Sequence, residues 1–335
     1  MPPSLPLDET SFAAAVEQHH RELRVHCYRM VGSYTDAEDL VQETFLRAWK
    51  GLSGFQGRSS VRAWLYRIAT NACLDWLDGK PRRVLPHHLA GPSEPTAALP
   101  PPSDVPWLEP FPDAELVAPA DAGPDALVVE RETIELAYLA ALQFLPPRQR
   151  AALILRDVHG WPASETAAAL DLSVPAVNSA LQRARTTLRE HLPERRSDWR
   201  AAVVPTAVEQ QLLNRYLDAV RRADFHAVAD LLAEDVRATM PPWPLWFRGR
   251  EAVRHALATS WNPDSPDYVG EFAARQIGAN RQPAVATWTR QPGDTVFRAF
   301  GLGVMQVEDG AIAEMTAFHG PALFEVFGLP LEIDR

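Results

Sequence analysis

The chain has 335 residues, a formal charge of −10, 30 prolines and two cysteines. That length allows two or three domains, and an apolar fraction of 46% lets each bury a core. Cys27 and Cys73 are too few for a disulfide framework and lack metal-type spacing, and no apolar run reaches the ~18–20 residues needed to cross a bilayer. Residues 1–10 carry Asp8 and Glu9 but no basic residue, which argues against a secretory signal. The expectation is a soluble, cytoplasmic protein without a membrane partner, in a reducing compartment.

The net charge is unevenly divided. Residues 1–84 carry +1, residues 85–130 carry −8 with no Lys or Arg, residues 131–200 carry +2 and residues 201–335 carry −5. An acidic total therefore does not exclude a nucleic-acid partner, because two near-neutral segments flank one acidic stretch and local fields decide.

Along the chain, Phe12, Val16, His20, Leu23, Cys27 and Met30 step by three and four, one face of an amphipathic helix. Thr35-Asp-Ala-Glu38 reads as a capping box with Thr35 as N-cap. The helix it opens sets Ala37, Leu40, Val41, Thr44, Phe45, Ala48 and Trp49 on one face, against Asp36, Glu38, Asp39, Gln42, Glu43 and Arg47. A Gly/Ser loop, residues 53–60, precedes a third helix with Val61, Trp64, Leu65, Ile68 and Ala72 inward. His19, His20, His26 and Cys27 lie on one continuous helix and cannot converge as four ligands, so no metal and no cofactor is expected.

Residues 86–130 hold eleven prolines with acids and few large apolar residues. Such a composition predicts a disordered or extended linker. Residues 131–191 return to helix, with Val174, Val177, Leu181, Ala184 and Leu188 as the buried stripe of the last one. Ala163–Leu170, the turn Asp171–Val174 and this helix have helix-turn-helix spacing. After a second break near His191–Pro205, helices over Val208–Arg222 and Ala227–Ala233 are followed by strand-rich Ala284–Arg290, Val296–Val307 and Ile312–His319, an α+β pattern with a curved sheet.

Several motifs then occur in one order. Tyr34-Thr-Asp-Ala-Glu-Asp-Leu-Val-Gln-Glu-Thr-Phe-Leu-Arg-Ala-Trp49 is followed by Val61-Arg-Ala-Trp-Leu-Tyr-Arg-Ile-Ala-Thr-Asn-Ala-Cys-Leu-Asp75. Beyond the linker come Leu145-Pro-Pro-Arg-Gln-Arg-Ala-Ala-Leu-Ile-Leu-Arg156 and Ser173-Val-Pro-Ala-Val-Asn-Ser-Ala-Leu-Gln-Arg-Ala-Arg185. Here the chain resembles the extracytoplasmic-function (ECF) group of sigma-70 family RNA polymerase sigma factors, over residues 10–85 (region 2) and 131–191 (region 4). Tyr216-Leu-Asp-Ala-Val220, Leu231–Val236, Met240–Trp246, Arg248–Val253 and the ending Phe318–Pro330 resemble a SnoaL-like domain over 205–330. The implied architecture is multidomain: two all-α sigma domains, a region 2 bundle and a region 4 helix-turn-helix, then a C-terminal α+β SnoaL-like cone-shaped barrel.

The resemblance implies partners and roles. Core RNA polymerase is the first partner, through its β′ and β subunits, and Asp36, Glu38, Asp39, Gln42 and Glu43 match the segment that docks on the β′ coiled coil, where complementary charge sets register. Promoter DNA is the second. Phe55, Gln56, Arg58, Arg62, Arg67, Asn71, Arg82 and Arg83 are the residues for opening the −10 element, a task that wants stacking surfaces and phosphate-binding cations. Pro175, Ala176, Asn178, Ser179 and Gln182 are placed for −35 base edges, with Arg183, Arg185 and Arg189 on phosphates. Asp171 stands where the family has a turn glycine, Thr166 where it has an aliphatic residue, and Asp78 where a basic residue is usual. The acidic linker is either a nucleic-acid mimic in the polymerase channel or a solvated spacer.

In the C-terminal domain His255, Arg290 and His319 are pocket candidates, and Trp243, Trp246, Trp261 and Trp288 are expected as lining and core. No catalytic residue can be placed, so the chain is read as an initiation factor whose C-terminal domain modulates it, with a small-molecule ligand in the pocket as a further partner. Two alternatives stand: a one-component helix-turn-helix regulator with a sensing pocket, which would bind a duplex site without polymerase, and a cyclase or isomerase activity in the C-terminal domain.

Overall fold

The computed structural model describes residues 9–57, 59–95, 100–116, 134–192 and 206–334. The chain forms two compact units, Met1–Arg83 with Glu115–Ala201 and Val84–Ala114 with Ala202–Arg335. Among the described residues no helix is long and apolar enough to cross a membrane.

The first unit is helical. Helices α1 (Glu9–Val31), α2 (Tyr34–Lys50) and α3 (Val61–Leu77) pack as a bundle. The start of α2 corrects the capping reading: Ser33, not Thr35, is the N-cap, its hydroxyl accepting from the Asp36 N–H. Trp49 also departs from expectation. It is 46% exposed, beside Leu46 at 56%.

A buried polar cluster ties α1 to α3. The Glu22 carboxylate accepts from Arg62 at 2.8 Å and from the Tyr66 hydroxyl at 3.1 Å, and pairs with His19 at 2.5 Å. Burial works to raise its pKa, but the His19 and Arg62 hydrogen bonds outweigh that and hold the carboxyl below the usual range.

The remaining helices of this unit are α4 (Leu136–Leu142), α5 (Pro147–Leu153), α6 (Ala163–Leu170) and α7 (Val174–His191), with a wide helical turn over Ile154–Val158. Arg150 on α5 is 2% exposed and donates to the Met30 carbonyl at the end of α1, to Gln143 Oε1 and to the Gln143 and Leu145 carbonyls. Burial pushes its pKa down to about 10. His26 and His159 share a hydrogen bond at 3.2 Å.

The stripe of α7 is Val177, Ala180, Leu181 and Ala184. Val174, expected to be buried, is 38% exposed, because it occupies the first turn, ahead of the packed face. Asp171 takes the left-handed conformation at φ 53° and ψ 49°, which explains a glycine preference there and why a short polar side chain can substitute. Thr166 is buried, and its hydroxyl donates to the Pro162 carbonyl at 3.1 Å.

The second unit is built on α8 (Ala207–Arg221), α9 (Phe225–Ala229), α10 (Arg250–Ser260) and α11 (Pro321–Val326) with a seven-stranded sheet. The strands are β1 (Leu232–Thr239), β2 (Trp246–Arg248), β3 (Glu271–Ala279), β4 (Gln282–Arg290), β5 (Phe297–Glu308), β6 (Ala311–His319) and β7 (Glu332–Ile333). Their order is β2-β1-β6-β5-β4-β3, with β7 on β5; β1 and β6 run parallel and all other pairs antiparallel. The helix expected over Ala227–Ala233 ends at Ala229, and β1 begins at Leu232. That strand's mixed burial lacks clean alternation, so periodicity did not reveal it.

The sheet is covered on both faces. Leu213, Tyr216, Leu217 and Val220 of α8 meet Val236, Val285, Met305 and Met315, while Ala286, Trp288, Phe297 and Leu302 meet Phe324 on the other side.

The acidic, proline-rich stretch read as a linker over 86–130 is only partly so. Its described residues up to Ala114, 86–95 and 100–114, form a strap packed in the second unit. Pro86–His88 makes one helical turn, and Leu85, Leu108 and Phe111 are at most 3% exposed. Burial, helped by the Arg237 and His88 charges, lowers the His87 pKa to about 2. Residues 117–133 lie outside the described residues.

Candidate nucleic-acid interface

Helix α2 divides the acidic row. Asp36 is ion-paired with Arg83, and Glu38 contacts His20 at 3.2 Å and Arg24 at 3.3 Å. The His20 hydrogen bond, helped by the Arg24 charge, holds the Glu38 carboxyl below its usual range. Asp39 and Gln42 are exposed, and Glu43 pairs with Arg47 at 2.7 Å. Asp39, Gln42, Leu46 and Trp49 follow steps of three, four and three, a single stripe in which two large apolar side chains stand in solvent beside an acid and an amide. Of the two apolar members, Trp49 was expected on the packed face by its helical spacing and Leu46 was not placed.

The residues expected at the −10 element do not converge. Phe55 lies 4.8 Å from the buried ring of Trp64, and Gln56 is exposed. Arg58 falls outside the described residues. Arg62 is committed to Glu22, with its guanidinium 4.9 Å from the Tyr66 ring, and Arg83 to Asp36. Arg82 is exposed but sits 4.1 Å over Phe144. Arg67 and Asn71, one turn apart on α3, face solvent.

The −35 set is brought together. Ser173 caps α7 through the Ala176 N–H at 3.3 Å, and Pro175 occupies the first turn, where its missing N–H costs nothing. Pro175, Asn178, Ser179, Gln182, Arg183, Arg185 and Arg189 are exposed, and Ala176 is half-buried. Arg183 donates to the Ser179 hydroxyl at 2.6 Å. Arg185 makes a two-pronged bond to Asp157 at 2.8 and 2.6 Å, which raises its pKa. Asn178, Gln182, Arg185 and Arg189, with Arg156 and Leu181, line an open concavity of about 450 Å³.

In the second unit the three pocket candidates separate. His255 is exposed, and Arg290 pairs with Glu271 at 2.5 Å. His319 lies between the rings of Trp243 at 4.8 Å and Phe300 at 4.7 Å, and burial pushes its pKa down to about 4. Trp288 and Trp246 are buried with their indole N–H groups bonded to the Pro330 and Ala90 carbonyls, whereas Trp243 and Trp261 are half-buried.

Comparison with known proteins follows this division. Family models match residues 15–83 as sigma-70 region 2, 135–188 as sigma-70 region 4 and 213–315 as a SnoaL-like domain. The chain is 44% identical over 328 residues to the ECF RNA polymerase sigma factor SigG of Mycobacterium tuberculosis, covering 97% of this chain and 86% of that one. It is 29% identical over 184 residues to SigX of Bacillus subtilis, covering 55% of this chain and 84% of the relative. The crystal structure of Mycobacterium tuberculosis SigJ has the same fold, at a TM-score of 0.62 and 24% identity over 96% of this chain and 100% of that one.

Proposed function

The chain belongs to the ECF RNA polymerase sigma factors, and from that premise we propose how its own surfaces divide the work of initiation. A sigma factor binds core RNA polymerase and promoter DNA; it is an initiation factor and not an enzyme. The work is accordingly done by recognition, with no bond made or broken by this chain.

The exposed row of α7 carries the reading. Asn178, Ser179 and Gln182 stand on the N-terminal half of a helix in helix-turn-helix geometry, where side chains of this kind reach base edges in the major groove. Arg183 and Arg189 follow for phosphates. Asp39, Gln42 and Glu43, with Leu46 and Trp49 added, form the surface for the β′ subunit, and Arg67, Asn71 and Gln56 the one for the opened −10 strand. This assignment, like contact with β, rests on the resemblance and on exposure. A cytoplasmic site of action follows from the polymerase partner. The SnoaL-like domain modulates initiation, and the rings around His319 are where a small ligand would enter.

Run-off transcription with bacterial core polymerase on fragmented genomic DNA tests the reading. Discrete transcripts should depend on this protein and fall with Gln182→Ala or with Trp49→Ala. A protein that shifts duplex DNA alone but yields no transcript with competent core would overturn it. A 1–200 truncation should change the yield if the C-terminal domain modulates.

A further inference from the structure

The chain has two cysteines, and the fold brings them together. Cys27 on α1 and Cys73 on α3 are fully buried free thiols, hydrogen-bonded to each other across the seam between the helices. Both helices are followed in the same order along this seam. Glu22 accepts from Arg62 and Tyr66, His26 Nε2 meets the Thr70 hydroxyl at 3.0 Å, and Cys27 then meets Cys73. Thr70 gives its own hydrogen to the Tyr66 carbonyl at 2.7 Å, so the His26 Nε2–H is the donor in its pair. The thiol contact is a weak hydrogen bond by comparison. Filling the space would take only two small apolar residues, so packing does not require a pair of sulfurs here.

The two sulfurs are not equivalent. The hydrogen bond to Cys73, with burial and the Glu38 charge behind it, holds the Cys27 thiol well above its usual range. Cys27 therefore keeps its proton, and Cys73 is the sulfur left to attack. Cys73 also lies within electrostatic reach of Arg150, the buried cation of α5 that donates to the carbonyl of Met30, three residues beyond Cys27. The region 4 cation thus stands at the same end of the seam as the thiol pair.

We propose that Cys27 and Cys73 are a reversible thiol–disulfide pair, closed by a hydroperoxide, whose closure ties α1 to α3 and disturbs the seat of Arg150 at the end of α1. The peroxide is the oxidant. The Cys73 sulfur attacks its outer oxygen, the O–O bond breaks, and Cys73 becomes a sulfenic acid while an alcohol, or water from hydrogen peroxide, leaves with the Cys73 proton. The Cys27 sulfur then attacks the sulfenic sulfur, the S–O bond breaks, and water leaves with the Cys27 proton. The two thiols together lose two electrons, and the oxygens of the broken O–O bond gain them. Disulfides in a reducing compartment are transient and redox-sensing, and thiol reductants reopen them.

Full burial makes local opening of the seam the gate to this reaction. Closing the bond draws the sulfurs from hydrogen-bonding to bonding distance, and a close-packed interior passes such a shift to its neighbours. Met30 lies three residues from Cys27, and Asn71 stands two residues before Cys73 on the face turned to solvent. Oxidation therefore loosens Arg150 and moves the −10 face, which lowers initiation. That last step rests on the sigma-factor reading; the thiol chemistry does not.

Hydrogen peroxide added to the reduced full-length chain, followed by alkylation and intact-mass measurement, reads the pair. The chain should lose about 2 Da, yield one cross-linked peptide joining Cys27 to Cys73, and recover on treatment with dithiothreitol. Hydrogen exchange over 147–153 should rise on the order of threefold in the oxidised chain, and run-off transcription should fall several-fold and return with the reductant. Cys73→Ala should be indifferent to peroxide in all three measurements. Oxygen adducts without a cross-link, or no loss of mass over hours, overturn the inference. So does a disulfide that leaves both the exchange of α5 and the transcript yield unaltered. Absence of transcript from the reduced chain overturns the sigma-factor reading instead, and mass and exchange still decide the pair.

Discussion

Regions 2 and 4 were expected to meet DNA with the same kind of side chain, and the structure treats those side chains oppositely. In region 4, Asn178, Ser179, Gln182, Arg183 and Arg189 stand exposed on a helix packed along one stripe. In region 2, Arg62 and Arg83 are spent on Glu22 and Asp36. The difference is one of packing. A helix covered on one side has a single outward face, and periodicity finds it. A helix packed on two neighbours has polar residues at the seams, and these pair with each other. An arginine in a motif is thus a candidate contact only once its carboxylate partners are known.

The largest expected effect tests how far such internal pairing governs the first unit. Arg150→Met removes the donor for four acceptors, including the Met30 carbonyl. Leaving buried neutral acceptors without a donor costs about 1–3 kcal/mol for each that finds no other partner, to be read from the denaturant midpoint. Next comes the direct contrast within α3. Arg62→Met should cost about 2 kcal/mol or more by leaving Glu22 short of a partner, whereas Arg67→Ala should leave stability within about 0.5 kcal/mol and weaken binding to forked −10 DNA in the holoenzyme. Equal loss of stability in both would erase the distinction.

For base reading by region 4, Gln182→Ala should cost about 1–3 kcal/mol on the preferred −35 sequence and flatten discrimination at one position of that element. Titration of holoenzyme against single-substitution promoters measures it. Uniform weakening across all sequences would place Gln182 on the backbone instead.

The helix-turn-helix was legible because its signals are local: the stripe Val177, Leu181, Ala184 and the turn that begins at Asp171. In the SnoaL-like domain the strands read over Ala284–Arg290, Val296–Val307 and Ile312–His319 correspond to β4, β5 and β6, whereas β1, which has no clean alternation, was not legible. The strap was not legible at all. Its composition resembles a disordered linker, and what orders it, the Asn280–Arg281 turn and the missing Cβ of Gly278, lies some 170 residues away in sequence. Trp49 was misplaced on the buried face because helical spacing alone does not tell the edge of an apolar stripe from its centre, and Leu46 was left unplaced.

Acid should separate the regions as well. Glu22 and Glu38 have lowered pKa values in the folded state, so their contribution is complete above the unfolded value near 4.5 and is lost as pH falls through the folded values. Thermal unfolding of the first unit should therefore steepen its decline below about pH 4.5. Glu22→Gln should lower stability near neutral pH and flatten that decline. A slope unchanged in the variant would mean that Glu22 is not the group protonated.

The smallest effect divides two arginines on one helix. Arg189 has no carboxylate within ion-pair distance among the described residues, whereas Arg185 is doubly bonded to Asp157. A phosphate drawn to Arg189 releases condensed counterions, so Arg189→Ala should reduce the slope of log K against log salt by about 0.9. Arg185 brings no net charge while Asp157 holds it, and Arg185→Ala should change the slope by less than half as much. Promoter binding by holoenzyme between low and moderate salt gives both slopes. Equal reductions would mean that Arg185 leaves Asp157 for the phosphate, and the brace seen in the free chain would then be a resting contact exchanged on binding.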